Sequence, residues 1–178
     1  MEAYTPKQLA EEGQAAYRKG DYQSAARLFK AAADGFLSSG DKLSGAEMAN
    51  NCSVAYLQAG DGNSALNAAM GTDIVFSSLG DRKRQAMAIG NQASALEKLG
   101  KNDEALAAYE KCADLLKNLG ETELRAYVCQ RISSLQLKRK QYLEAFVTMR
   151  AGVQDIDKPK LSQRIMKKLM DLPFKFVR

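Results

Sequence analysis

The chain has 178 residues and a mass of 19.5 kDa, a size that suits one domain or one short repeat array. Apolar residues make up 46 % and charged residues 26 %, with three prolines, which excludes a disordered tail and predicts a folded protein. Net charge is +5 but uneven: residues 1–130 hold 14 basic against 17 acidic side chains, net −3, and residues 131–178 hold 12 against 4, net +8.

The N-terminal Met-Glu-Ala-Tyr-Thr-Pro lacks the basic start and apolar stretch of a signal peptide. The longest apolar run, 105–109, is too short to span a bilayer, and a cytoplasmic address is expected. Beyond that start, the chain repeats itself. Gly20, Gly60 and Gly100 stand forty apart, with Lys140 at the fourth place, and Ala25, Ala65, Ala105 and Ala145 keep the same interval. A second series, Gly40-Asp41, Gly80-Asp81 and Gly120-Glu121, lies midway.

The segments between these marks are rich in good helix formers, with apolar positions at three- and four-residue steps and no sustained two-residue alternation. Glycine supplies the left-handed backbone that ends a helix, and a following acid suits the start of the next. Four helical hairpins are predicted, at about 3–38, 43–78, 83–118 and 122–156, within repeats of about 3–40, 41–80, 81–120 and 121–158. Small residues at Ala25 and its echoes, and at Gly13, Ser53, Ala93 and Ser133, allow the paired helices to approach closely.

Lys158-Pro159 closes the array ahead of a helix at about 160–171. Its apolar stripe, Leu161, Ile165, Leu169 and Leu172, opposes Lys160, Arg164, Lys167 and Lys168, as expected of a terminal cap. The same basic amphipathic pattern is shared with membrane-surface helices. The tail from Pro173 to Arg178 carries three apolar side chains that either fold back or dock elsewhere.

Chemistry is scarce. Histidine is absent, which removes Ser-His and Cys-His nucleophiles and histidine-bound metals. Cys52, Cys112 and Cys129 are an odd, widely spaced set, read as buried thiols in a reducing compartment rather than a disulfide framework. No phosphate loop or dinucleotide fingerprint occurs. No catalytic residue, metal or cofactor is predicted.

The segments Gly13-Gln-Ala-Ala-Tyr-Arg-Lys-Gly-Asp-Tyr-Gln-Ser-Ala25, Ser53-Val-Ala-Tyr-Leu-Gln-Ala-Gly-Asp-Gly-Asn-Ser-Ala65 and Ala93-Ser-Ala-Leu-Glu-Lys-Leu-Gly-Lys-Asn-Asp-Glu-Ala105 resemble the tetratricopeptide repeat family. Ser133 to Ala145 lacks the turn glycine but keeps Tyr142 and the alanine. The forty-residue interval is similar to that of the long-repeat subclass found in kinesin light chain. The resemblance covers about residues 5–156. It implies an all-α, right-handed superhelical solenoid of four antiparallel hairpins plus the capping helix, forming a single domain over 1–178.

It also implies a concave groove lined by the first helix of each pair, binding a peptide or helix of a protein partner. The groove-facing places are Lys7, Ala10, Gln14, Tyr17 and Arg18 from the first repeat, and Glu47, Asn50, Asn51, Val54, Leu57 and Gln58 from the second. The third supplies Met87, Gly90, Asn91, Ser94, Glu97 and Lys98, and the fourth Tyr127, Gln130, Arg131, Ser134, Leu137 and Lys138. One variant of the family clamps a C-terminal carboxylate. Its places fall on Ala10, Gln14, Asn51, Met87 and Asn91, of which only Asn51 agrees, so that ligand is not expected. In the long-repeat subclass, asparagines at one repeated position hold a peptide backbone. Asn51 and Asn91 are forty apart and suit that ladder, or each bonds within its own repeat junction.

Two other readings stand beside the groove. A basic C-terminal region comprising Lys138, Arg139, Lys140, Arg164, Lys167 and Lys168 could attract nucleic acid or an anionic surface. Aromatic residues are not interleaved with that charge, which counts against nucleic acid. A self-associating scaffold, a homodimer through the cap or tail, is the other.

Overall fold

The structure is a computed structural model that describes residues 4–154 together with Ile156, Leu161, Arg164, Ile165, Lys167 and Lys168. Its helices are α1 (Pro6–Arg18), α2 (Tyr22–Ser38), α3 (Lys42–Gln58), α4 (Gly62–Ala69), α5 (Thr72–Ser78), α6 (Arg82–Lys98), α7 (Asn102–Asn118), α8 (Thr122–Lys138) and α9 (Tyr142–Gln154). No strand occurs among the described residues. None of their helices is long and apolar enough to cross a membrane.

One device separates most of these helices. Gly20, Gly40, Gly60, Gly80, Gly100 and Gly120 all hold a left-handed backbone, with φ between 70° and 86°, which costs glycine nothing. Lys140 takes the seventh such place at φ 61°, alone among the described non-glycine residues. The next residue then starts the following helix. Asp21, Asp41, Asp61 and Asp81 accept the backbone N–H of Ser24, Ser44, Ser64 and Arg84 at 3.1, 3.0, 3.0 and 2.9 Å. Each bond satisfies one of the donors a helix start leaves open. Thr5 and Gln8 close α1 with a reciprocal capping box behind Pro6.

The chain divides into two compact units, Met1–Ala108 and Tyr109–Arg178. In the first, α1 packs on α2, α2 on α3, and α3 on α4, α5 and α6. Ala25, Ala26, Phe29, Cys52 and Ala55 form one buried cluster, bordered by Ala16, Tyr17, Met48, Tyr56 and Ala68. Ala46, Phe76 and Ala88 form another with Val75. Alanine dominates both, so the helices sit close and a few large side chains fill the remaining space. Cys52 donates to the Ala26 carbonyl at 3.3 Å, and burial pushes its thiol up to about 11, so it stays protonated at neutral pH.

The second hairpin differs from the uninterrupted 43–78 pairing expected of it. Its outer arm is broken into α4 and α5, with Met70 extended at ψ 130° and Gly71 left-handed at φ 78°. The freed Ala69 carbonyl accepts from Thr72 Oγ1 at 2.7 Å and from Gln92 Nε2 of α6 at 3.0 Å. The Thr72 hydroxyl also lies 3.1 Å from Asn50 Oδ1, and Gln92 Nε2 donates to Asp73 Oδ1 at 2.9 Å. A buried carbonyl released by a helix break must find donors. Two helices supply donors for this one, Thr72 from α5 and Gln92 from α6.

In the second unit α8 packs on α9. Val128, Cys129, Ile132 and Leu135 of α8 and Ala145 and Val153 of α9 are buried. Ser133 Oγ donates to the Ala145 carbonyl at 2.9 Å, and Arg125 reaches the Ala151 carbonyl at 3.0 Å. The predicted capping helix over 160–171 lies mostly outside the described residues, and the tail wholly so. Lys167 donates to the Gln154 and Ile156 carbonyls at 2.8 and 3.0 Å, where α9 runs out. Cationic donors are favoured at such a helix end.

Candidate functional site

Gly13 begins the site. Phe29 of α2 lies against it, and a Cβ at that position would come within 2.9 Å of the Phe29 ring and 3.3 Å of Leu28 Cβ. With no side chain in the way, the ring, 2 % exposed, fills the space behind α1. A recess of about 120 Å³ opens above it, lined by Gln14, Tyr17, Phe29, Asn51 and Val54. Three helices contribute: α1 supplies Gln14 and Tyr17, α2 the Phe29 ring, and α3 Asn51 and Val54. Tyr17 is braced edge-on by Tyr22, with ring centroids 5.2 Å apart. Burial raises the Tyr17 phenol, as does Tyr22 beside it, so the ring presents a neutral hydroxyl.

The polar groups around this recess are unspent. Gln14 is exposed and Asn51 half-buried, and neither side chain makes a hydrogen bond among the described residues. Asn91 of α6 is half-buried and equally unspent. It stands forty positions from Asn51, on a helix that packs against α3. An amide offers a donor and an acceptor together, the complement of a peptide group.

The other predicted groove residues of this unit fall into three kinds. Lys7, Arg18, Gln58, Lys98 and Met87 are exposed, Met87 by 47 %. Ala10, Val54, Leu57 and Gly90 are half-buried. The remainder are engaged within the protein. Glu47 pairs with Arg84 at 3.5 Å, while Arg84 also holds Asp81 at 2.7 Å. Ser94 Oγ donates to the Gly90 carbonyl at 2.9 Å, and Glu97 also has an intramolecular partner. Asn50 is buried and committed to Thr72, one position from the unspent Asn51. A helix turns about 100° per residue, so adjacent asparagines serve opposite purposes.

The places taken from the fourth repeat lie in the second unit. Tyr127 is 58 % and Leu137 50 % exposed, Gln130 and Lys138 are exposed, and Arg131 and Ser134 are half-buried. The basic residues Lys138, Arg139, Lys140, Arg164 and Lys168 are exposed in that unit, and Lys167 is turned onto the end of α9.

Sequence reasoning did not find Phe29, the floor of the recess, because it sits on α2, the outer helix of its pair, whereas the groove places were taken from the first helix of each pair. The signal available was Gly13: a glycine inside a helix leaves room that a neighbouring ring can occupy. Among the described residues, no group of three or more histidine, cysteine or carboxylate side chains could hold a metal ion.

No family model matches the sequence, and no curated protein does. Among solved structures, the chain is similar to the crystal structure of BtubC (BKLC) from P. vanneervenii, at 14 % identity and a TM-score of 0.75, covering 90 % of this chain and 70 % of that one. At that identity the likeness is one of fold: an all-α, tetratricopeptide-like repeat of paired helices.

Proposed function

We propose that the protein is a non-catalytic interaction module whose inner helices bind an extended segment of a protein partner. The observation carrying this reading is the pair of unspent amides, Asn51 and Asn91, forty residues apart on the packed helices α3 and α6. Backbone recognition by such amides fixes a peptide's register, while a few anchor side chains supply most of the affinity. The forty-residue interval supports the long-repeat subclass resembling kinesin light chain. Three buried thiols, none in a disulfide among the described residues, support a reducing, cytoplasmic setting.

The test uses peptides selected from a displayed random library on the full chain. Asn51→Ala combined with Asn91→Ala is expected to weaken them about tenfold or more, since each amide loses at least one hydrogen bond worth about 1 kcal/mol. Circular dichroism should remain unchanged, because neither side chain supports the fold. Unchanged affinity in the double variant discards the ladder.

A further inference from the structure

We propose that the recess between α1 and α3 is an anchor site for one medium-sized aliphatic side chain, that of Leu, Ile or Met, on the bound segment; this rests on the peptide-binding reading above. Size comes first. The recess holds about 120 Å³, below the roughly 150 Å³ of an apolar cavity that admits benzene. A four-carbon branched chain or a thioether fits within it. The recess is open to one side, so a phenyl ring would stand partly outside it and an indole more so.

Lining chemistry comes second. Phe29 forms an apolar floor, and Val54 and the Tyr17 ring form the walls. Among the described residues no charged side chain lines the recess, so an ionised Lys, Arg, Asp or Glu would lose hydration there without gaining a partner. Among the described residues, polar capacity is confined to Gln14, Asn51 and the Tyr17 hydroxyl. The first two are amides with free donors and acceptors, suited to the peptide groups flanking a single inserted side chain. An extended segment turns alternate side chains to opposite sides, so one residue can enter while its neighbours point away.

Rigidity comes third. Phe29 is almost fully buried, the missing Gly13 side chain gives its ring room, and Tyr22 braces Tyr17. A site held this way is formed before the ligand arrives, which reduces the ordering cost of binding.

The experiment selects phage-displayed random decapeptides on the full chain and measures their affinity by fluorescence anisotropy. The selected peptides should share one Leu, Ile or Met, whose replacement by Gly weakens binding about tenfold or more, and replacement by Trp should also weaken it. Val54→Phe fills the recess and should weaken every such peptide. Val54→Ala enlarges it and should shift the preference from Leu towards Phe, a change that lost folding could not produce. Peptides that need Asn51 and Asn91 yet accept Gly at every position, or keep their preference in Val54→Ala, overturn the anchor and leave the groove standing. Peptides indifferent to both sets of substitutions, or no binders at all, overturn both.

Discussion

Ser53 and Ser133 hold equivalent places in the forty-residue pattern and differ by one bond. Ser133 Oγ reaches the Ala145 carbonyl, whereas Ser53 Oγ is buried without a partner. A buried hydroxyl without a partner carries its desolvation cost uncompensated, while a satisfied one contributes a modest net gain. Denaturant unfolding should therefore show Ser53→Ala raising stability by about 1 kcal/mol and Ser133→Ala lowering it by about 1 kcal/mol. The equivalent place in the third repeat is already alanine, Ala93, fully buried. Lys140 offers a second test, since its φ of 61° puts a Cβ-bearing residue where the equivalent positions carry glycine. That conformation costs an L-residue about 1–2 kcal/mol, and glycine's extra freedom when unfolded returns part of it. Lys140→Gly is expected to raise the unfolding midpoint through a net gain of about 0.5–1 kcal/mol, and a lower midpoint would refute the strain.

At the scale of elements, helix starts depend on ionised aspartates. Hydrogen bonding from Ser24, Ser44, Ser64 and Arg84 holds Asp21, Asp41, Asp61 and Asp81 below their ordinary value. Because the folded pKa lies under the unfolded one of about 3.9, this contribution is complete above the unfolded value and disappears as pH falls through the folded one. Thermal unfolding followed downwards from about pH 5 should lose stability in that window. Replacing all four by Asn, which caps without titrating, should flatten the decline; an identical slope would mean that other carboxylates dominate. Elements also show where local signals stop. The Met70–Gly71 break leaves Met70 66 % and Ile74 68 % exposed, and it is held by Thr72, Asn50 and Gln92 rather than by a capping side chain before α5. The interruption within 62–78 leaves no local signal because two of the groups that stabilise it, the Asn50 acceptor and the Gln92 donor, come from α3 and α6.

At the scale of the whole molecule, charge is the property most open to misreading. The net +8 over residues 131–178 is enough to draw any polyanion at low salt. Lys167 is directed onto carbonyls at the end of α9, while Lys138, Arg139, Lys140, Arg164 and Lys168 are exposed. Titration with mixed-sequence RNA should give weak binding that falls steeply between low and physiological salt. Saturable binding that survives physiological salt would instead reveal a specific site. By itself the sequence determined that the chain is helical and where most helices stop and start, because a left-handed glycine and a capping aspartate act within four residues of themselves. Only the tertiary structure decided that Asn50 faces inward and Asn51 outward, that Phe29 floors a recess beside Gly13, and that Ala69 can surrender its helical bond. Each depends on which helix arrives alongside, and that is fixed by packing between segments distant in the chain.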